Sequence, residues 1–305
     1  MSGLPEQRRA RVAKRMWQGQ RALVDAFEAM DGSGQFRAHT WERPGGGGGT
    51  ARVLVGGDVF EKAGVNVSEV TGDAVPEALA GPRPELAGRG FYATGVSMVL
   101  HPRNPHVPAF HANFRYFEVD GGEFWWFGGG ADMTPAYAYA EDAQHFHSSL
   151  RDWCDRHDSA WYARFKNWCD KYFYVTHRGE TRGVGGVFFD DLKLEGEDGW
   201  ERAFAFVDEG ITTLEMAYLP VVARRKAMPW TEAERAWQLH RRSRYAEFNL
   251  LYDRGTRFGL ETDGNVEAIL MSMPPLARWD FDLHPEPGSH EAETLAMLQP
   301  REWAS

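Results

Sequence analysis

Residues 92–119 have the sequence YATGVSMVLHPRNPHVPAFHANFRYFEV, in which two apolar segments flank a connection rich in proline and asparagine. The segments Tyr92–His101 and Ala109–Val119 are predicted to be β-strands, and the connection between them is predicted to be a turn. Asp120-Gly121-Gly122 then indicates a hairpin into a further strand at Phe124–Phe127. Strands joined in this way pair antiparallel, so this stretch predicts part of an antiparallel sheet.

The second of these strands places different kinds of side chain on its two faces. Side chains alternate along a strand, so His111, Asn113 and Arg115 share one face. The opposite face carries Phe110, Ala112, Phe114 and Tyr116. On the preceding strand, Ser97 and His101 share a face by the same rule. A solvated strand would also alternate, but its polar face usually carries Lys, Glu and Thr. A row of His, Asn and Arg instead offers proton transfer, amide hydrogen bonding and carboxylate recognition, which favours a functional site.

The remaining chain is predicted to be a mixture of helices and short strands. Helices are predicted at residues 5–30 before Gly32, at 141–156, at 160–174, at 200–226, and after a capping box formed by Thr231 and Glu234. Further strands are predicted at 36–42, 51–55, 186–190, 247–252 and 266–273. The five glycines Gly45–Gly49 lack a following Gly-Lys-Ser/Thr, so they predict a flexible loop or linker rather than a phosphate loop. Without an internal repeat or a clear linker, we expect residues 1–305 to form one α+β domain with a largely antiparallel sheet.

Composition narrows the classes of function. The chain has 305 residues, 43% of them hydrophobic, which is enough for a sizeable core, and its formal charge is −10. That charge argues against nucleic acid or an anionic membrane as a partner, but not against an acidic small molecule held by local arginines. We find no apolar run long enough for a transmembrane segment and no secretory signal. The two cysteines, Cys154 and Cys169, favour a reducing cytoplasm.

Other candidate residues come from separate segments. A helix over 141–156 would turn His147 toward its apolar face and His145 away from it. His177 follows the next helix. Together with His101 and His111, these histidines could form a metal site, although a chain with 11 histidines offers many such groupings. Asp190, at the end of an apolar strand with Asp191, is equally well explained as a functional residue or as a turn residue.

Seven ordered motifs resemble the oxygen-dependent coproporphyrinogen III oxidases, from about Val12 to Trp303. They are GVSMVLHP (95–102), HANFRYF (111–117), WWFGGG (125–130), RFKNWC (164–169), RGVGGVFFDDL (182–192), RYAEFNL (244–250) and ILMSMPP (269–275). The resemblance implies a homodimer that associates through the region around Tyr245–Asp280. It also implies a large antiparallel sheet covered by helices on both faces.

The reaction implied by the resemblance is the oxidative decarboxylation of coproporphyrinogen III. The propionates on rings A and B become vinyl groups, two O₂ are consumed as co-substrate, and protoporphyrinogen IX, CO₂ and H₂O₂ are formed. The residues carried over as substrate contacts are Ser97, Asn113, Phe114 and Arg115, with Asp263, Gly264 and Asn265 from a later loop. His111 would transfer a proton. Arg115 is the first choice as a carboxylate ligand and Arg182 the second, and Asp190 is a further candidate.

Family members differ in their use of a metal, and this chain departs from the family pattern at one position. His101, His111, His147 and His177 match positions assigned to a divalent metal, Mn²⁺ or Mg²⁺, in some members, whereas other members are described as working without a metal or an organic cofactor. Asn265 stands where the family pattern usually has arginine, and Arg254 or Arg257 could replace that guanidinium from the neighbouring turn. We predict that Asn265→Arg leaves activity intact or lowers KM.

Two other functions compete with this reading of the sequence. One is a histidine-bound metal oxygenase acting on another substrate, which would require stoichiometric metal. The other is a non-catalytic tetrapyrrole-binding or carrier protein, which would keep Arg115 and an aromatic pocket but would not need His111. The presence of His111 favours an enzyme.

Overall fold

The computed structural model describes residues 3–261 and 264–304, and its centre is a seven-stranded sheet. The strands of this sheet are β1 (Arg37–Glu42), β2 (Gly47–Val55), β3 (Phe60–Gly72), β4 (Phe91–Pro102), β5 (Ala109–Val119), β6 (Phe124–Thr134) and β9 (Gly185–Leu192). They lie in that order, and each neighbouring pair is antiparallel. Two short strands, β7 (Tyr174–Val175) and β8 (Glu180–Thr181), form a separate ribbon.

Helices lie on both faces of the sheet, so the predicted α+β class is confirmed. They are α1 (Leu4–Asp31), α2 (Glu77–Ala80), α3 (Ala140–Asp155), α4 (Trp161–Tyr172), α5 (Gly199–Arg225), α6 (Glu232–Leu251), α7 (Arg254–Glu261), α8 (Val266–Leu270) and α9 (His290–Met297). The predicted capping box is present, because Thr231 accepts from the Glu234 amide and Glu234 accepts from the Thr231 amide. Within the described ranges, no helix is long and apolar enough to cross a membrane.

One face of the sheet packs against α1, α3 and α5 to form the main core. The inward-facing residues of β5 are fully buried there: Phe110 stacks on Tyr218 with ring centres 4.5 Å apart, and Phe114 meets Trp153 edge-on at 5.8 Å. Helix α5 can approach this closely because Gly210 has no side chain, since a Cβ there would lie 2.4 Å from the Trp153 ring. This apolar packing holds β5 in register and thereby fixes what its other face presents.

The opposite face is covered only in part. Helix α4 crosses the β9 edge, and with α6 it covers Phe188, which stacks on Tyr172 at 4.3 Å. Helix α8 covers β2 and β3 near the other end of the sheet, where Met271 lies over Gly64. Between these two covers, Gly95 and Ser97 of β4 and His111, Asn113 and Arg115 of β5 remain half-buried, whereas Val99 and His101 of β4 are buried. A partly open trough therefore runs along the middle of the sheet.

Three local predictions were wrong. Residues 247–252 and 266–273 were predicted as strands, but they belong to the end of α6 and to α8 with its following turn. The apolar spacing of Tyr245 and Phe248 continues the period of α6, and no breaker interrupts it. Gly47–Gly49 form the start of β2 rather than a loop, and β3 was not predicted. Gly48 and Gly49 fit because a Cβ at either would lie 2.3 Å from a carbonyl oxygen of a neighbouring strand.

Candidate active site

His111, Asn113 and Arg115 share one face of β5, as the alternation predicted, and this face is half-buried. His111, Asn113 and Arg115 are partly exposed, whereas their neighbours Ala112 and Phe114 are buried in the core. Ser97 on β4 lies directly opposite Asn113 and is also half-buried. Four of the residues predicted for the site therefore lie together on one surface.

A fully buried ion pair lies at one end of this surface. The Arg182 guanidinium and the Asp132 carboxylate have 1% and 2% of their side chains exposed, and their closest atoms are 2.6 Å apart. Arg182 also donates to Asn249 Oδ1 at 3.0 Å, and its Cζ lies 4.1 Å from the centre of the Phe173 ring. Burial of a single charge is costly, so each partner depends on the other to remain ionised.

Asp132 also orients His111. The two residues are directly opposite across β5 and β6, and His111 Nδ1 lies 2.8 Å from Asp132 Oδ1. Burial alone would raise the pKa of Asp132, but the charge of Arg182 and the hydrogen bond from His111 hold that pKa below its usual value. An ionised Asp132 only accepts hydrogen bonds, so Nδ1 carries the proton and Nε2 is the ring nitrogen left for exchange with a ligand.

The second guanidinium of the surface is that of Arg115. Its Nη1 donates to Asn113 Oδ1 at 2.7 Å, and its Nη2 lies 3.0 Å from Asp190 Oδ2. Glycines occupy the positions beside it on both neighbouring strands, Gly95 on β4 and Gly128 on β6. A Cβ on Gly128 would lie 2.8 Å from Arg115 Cζ, so the missing side chain provides the space in which the guanidinium lies. This arrangement can bind a carboxylate with two parallel hydrogen bonds.

Phe114 does not share this surface. Its ring is fully buried on the core face, where it meets Trp153 and lies near Phe189. The reason is the alternation of the strand, which turns the side chain between Asn113 and Arg115 to the other side. The side chain of Phe114, a predicted substrate contact, therefore lies on the core face, behind the surface that carries Asn113 and Arg115.

The later loop is only partly described. Asp263 lies outside the described residues, Gly264 packs against Ile269, and Asn265 caps α8 by accepting a hydrogen bond from the Ala268 amide at 2.9 Å. Arg254, which was considered as a replacement for the family's arginine, lies 3.8 Å from the same Asp190 carboxylate that pairs with Arg115. A second guanidinium is thus present at this end of the trough.

The four histidines predicted as metal ligands lie in separate environments. His101 is buried with Nε2 at 2.9 Å from the Ser272 carbonyl oxygen, and the two nitrogens of buried His147 lie 3.0 Å from the Tyr162 hydroxyl and the Val184 carbonyl oxygen. His177 is 38% exposed and contacts Tyr252 and Glu247.

These environments do not fit a shared metal. Burial is the main cause that lowers the pKa of both His101 and His147 to about 3. Both nitrogens of His147 have partners, whereas His101 Nδ1 is buried without a hydrogen-bond partner among the described residues. Over residues 3–261 and 264–304, no three His, Cys, Asp or Glu side chains converge as metal ligands would. Nothing in the arrangement of these residues therefore supports a four-histidine centre.

Asp132 and Asn249 were not found from the sequence. The strand predicted at Phe124–Phe127 is too short, because β6 continues to Thr134. The available signal was the alternation Gly128, Gly130, Asp132, which places a carboxylate on the face of His111. Asn249 was missed because it was assigned to a strand rather than to α6.

A sequence model of the family described as coproporphyrinogen III oxidase matches residues 11–303. The match spans nearly the whole chain and includes all the residues of the trough. With His111, Arg115 and the buried Asp132–Arg182 pair on one face of a single sheet, the chain belongs to the coproporphyrinogen III oxidase family, whose members are oxidoreductases.

Proposed function

We propose that this protein is an oxygen-dependent coproporphyrinogen III oxidase that converts the ring A and ring B propionates to vinyl groups. Each propionate loses its carboxylate as CO₂. A hydride equivalent leaves the side-chain carbon that is attached to the ring, so that a vinyl group remains. O₂ takes up the two electrons and, with one further proton, leaves as H₂O₂. Two such rounds give protoporphyrinogen IX. The observation that carries the proposal is the pairing, on one half-buried face, of a carboxylate-binding guanidinium with an oriented imidazole.

Arg115 is the proposed carboxylate ligand. Its side chain is 38% exposed, so it is accessible from the trough, and its hydrogen bond to Asn113 Oδ1 helps to hold the guanidinium in place. A guanidinium binds a carboxylate in a fixed geometry, which suits a substrate with four propionates. Binding through a propionate would position the substrate and help exclude water from the reacting side chain.

His111 is the proposed proton-transferring residue. Asp132 accepts from Nδ1, which leaves Nε2 to donate or accept the proton that each round requires. The role of Asp132 and Arg182 is to hold this tautomer and ring orientation, because both are buried and bound to each other. No step is assigned to the four histidines as a metal centre, and no organic cofactor is part of the proposal.

A homodimer is also part of the proposal. The region around Tyr245–Asp280 carries several exposed apolar side chains: Leu250, Leu251, Val266, Leu276 and Trp279. Exposed apolar groups concentrated in one segment are typical of protein–protein contacts, and this is the region that family members use for dimerisation. A cytoplasmic location is proposed as well, because both cysteines are buried free thiols.

The test is aerobic turnover of coproporphyrinogen III by metal-depleted protein, with and without added Mn²⁺ or Mg²⁺. We expect turnover without metal, with one CO₂ and one H₂O₂ formed per vinyl group, and none under argon. His111→Gln should bind the oxidised porphyrin but lose turnover. Turnover that returns only with added metal would contradict the metal-free mechanism, and binding without turnover under any condition would favour a carrier.

A further inference from the structure

The end of strand β9 contains an irregularity next to Arg115. Phe189 is paired with Gly129 and Leu192 with Phe127, so Asp190 and Asp191 together lie opposite the single residue Gly128. This two-against-one pairing is a β-bulge, a feature that re-aims side chains and is common beside active sites. Asp191 has a φ of 55°, a left-handed conformation that costs energy in a residue other than glycine.

The two aspartates pair with different arginines. Asp190 Oδ2 lies 3.0 Å from Arg115 Nη2, whereas Asp191 pairs with Arg83, whose guanidinium lies over the Trp126 ring. Asp190 follows Phe188, the partner of Gly130, by two residues, so the alternation of the strand already turns its side chain to the face of Arg115. The extra residue acts on the positions after Asp190: it keeps Leu192 opposite Phe127 and buried in the core, and it leaves Asp191 outside the regular pairing.

Gly128 provides the space for this contact. A Cβ at that position would lie 2.7 Å from Asp190 Oδ1 and 2.8 Å from Arg115 Cζ. Any larger residue would push the carboxylate and the guanidinium apart. The alternation that turns Asp190 to this face and the glycine that leaves room for its carboxylate thus favour the same ion pair.

This ion pair is of the exchangeable kind. Arg115 and Asp190 are 38% and 20% exposed, and ion pairs that are accessible to water are weak. Arg254 Nη2 lies 3.8 Å from Asp190 Oδ2, and its side chain is 62% exposed. When a ligand carboxylate takes the fork of Arg115, Asp190 can keep a cationic partner by turning toward Arg254.

We propose that Asp190 is an internal competitor for the substrate carboxylate. It holds the Arg115 guanidinium in place while the trough is free, and it must give way when a propionate binds. It thereby limits the affinity for the substrate and eases release of the product. This inference rests on the proposed function, since it takes Arg115 as the ligand of a substrate carboxylate.

The experiment measures binding of coproporphyrin III, the stable fluorescent oxidised form of the substrate, to the full-length protein. Asp190 Oδ1 accepts a hydrogen bond from the Asp191 amide at 3.1 Å. Asp190→Asn keeps the shape of the side chain and an oxygen that can accept this bond. We expect this variant to bind about five- to tenfold more tightly, the gain of removing one half-exposed competing charge. Binding of the tetramethyl ester, which has no carboxylates, should not change.

Two further variants separate charge from other effects. Asp190→Glu keeps the negative charge and should show no such gain. Asp120→Asn is the matched control, because Asp120 also pairs with an arginine at 3.0 Å but lies in the turn between β5 and β6. Its affinity for the porphyrin should stay within about twofold of the wild type.

Unchanged or weaker binding by folded Asp190→Asn, while the wild type binds coproporphyrin III, would overturn the role of Asp190 alone. Equal tightening of the ester would do the same, because the effect would then not depend on carboxylates. A wild-type protein that does not bind coproporphyrin III would instead overturn the proposed function and this inference with it. Urea unfolding of each variant checks that a loss of binding is not a loss of fold.

Discussion

The two guanidinium–carboxylate pairs of the trough lie on the same face of one sheet but differ in their access to water. Arg182 and Asp132 are almost fully buried, whereas Arg115 and Asp190 are 38% and 20% exposed. A buried pair cannot lose one partner without leaving a charge in an apolar environment. A half-exposed pair can exchange its partner for water or a ligand at small cost. The first pair is therefore suited to hold His111, and the second is suited to bind substrate.

The largest expected effect comes from breaking the buried pair. Asp132→Asn removes the charge that compensates Arg182, so we expect a loss of about 3–5 kcal/mol in the free energy of unfolding. The variant should also lose turnover, because His111 loses its acceptor. Urea denaturation and turnover measure the two effects. The double variant Asp132→Asn/Arg182→Met should recover part of the stability but not the activity, and a stable single variant would contradict the comparison.

A change in the exposed pair should affect binding rather than stability. Arg115→Met removes a charged hydrogen bond to the substrate, so we expect the Kd for coproporphyrin III to rise roughly 10- to 100-fold. The free energy of unfolding should change by less than about 1 kcal/mol, since the pair with Asp190 contributes little. Titration of porphyrin fluorescence and urea unfolding measure these quantities. A large destabilisation without a change in Kd would reverse the roles assigned to the two pairs.

The dependence of stability on acid pH tests whether His147 is buried away from water. His147 has its pKa lowered, chiefly by burial, from 6.5 to about 3. The unfolded chain takes up a proton near pH 6.5, whereas the folded protein does not until about pH 3. The stabilisation is therefore complete above pH 6.5 and declines as the pH falls toward 3. By pH 5 the loss is on the order of 2 kcal/mol for this histidine.

The measurement is the free energy of unfolding at pH 8 and at pH 5 for wild type and His147→Gln. The free energy of unfolding should differ less between pH 8 and pH 5 in the variant than in the wild type. The reason is that the variant lacks the proton uptake of the unfolded chain at this position. His284→Gln, whose side chain is 81% exposed in the wild type, is the control and should keep the wild-type difference. An unchanged difference in His147→Gln would show that this site is hydrated.

The smallest effect is expected at Asn265. Its side chain caps α8, so Asn265→Arg should lower the free energy of unfolding by about 1 kcal/mol while Asn265→Asp keeps the cap. Activity should remain, as the sequence predicted, because Arg254 already lies near Asp190. Thermal unfolding and KM measure the two effects. A large loss of turnover would show that Asn265 contributes more than a helix cap.

Much of the fold and half of the site followed from local sequence. The alternation in β5 identified His111, Asn113 and Arg115 because a strand with one packed face has a period of two. The helical segments were found from their apolar period and caps. The end of α6 was missed because a short apolar run does not distinguish a strand from a buried helix. The four-histidine site stays without structural support, because spacing does not reveal which histidines already have partners.

The sequence by itself determined which side chains share a face of each strand, because the period of a strand is local geometry. It also determined the family, because ordered motifs span the chain. Only the tertiary structure decided that Asp132 faces His111, that Arg182 reaches both from a later segment, and that the pairing of β9 with β6 brings Asp190 to Arg115. Those contacts depend on strand register and on burial, which arise when distant segments pack together and exclude water.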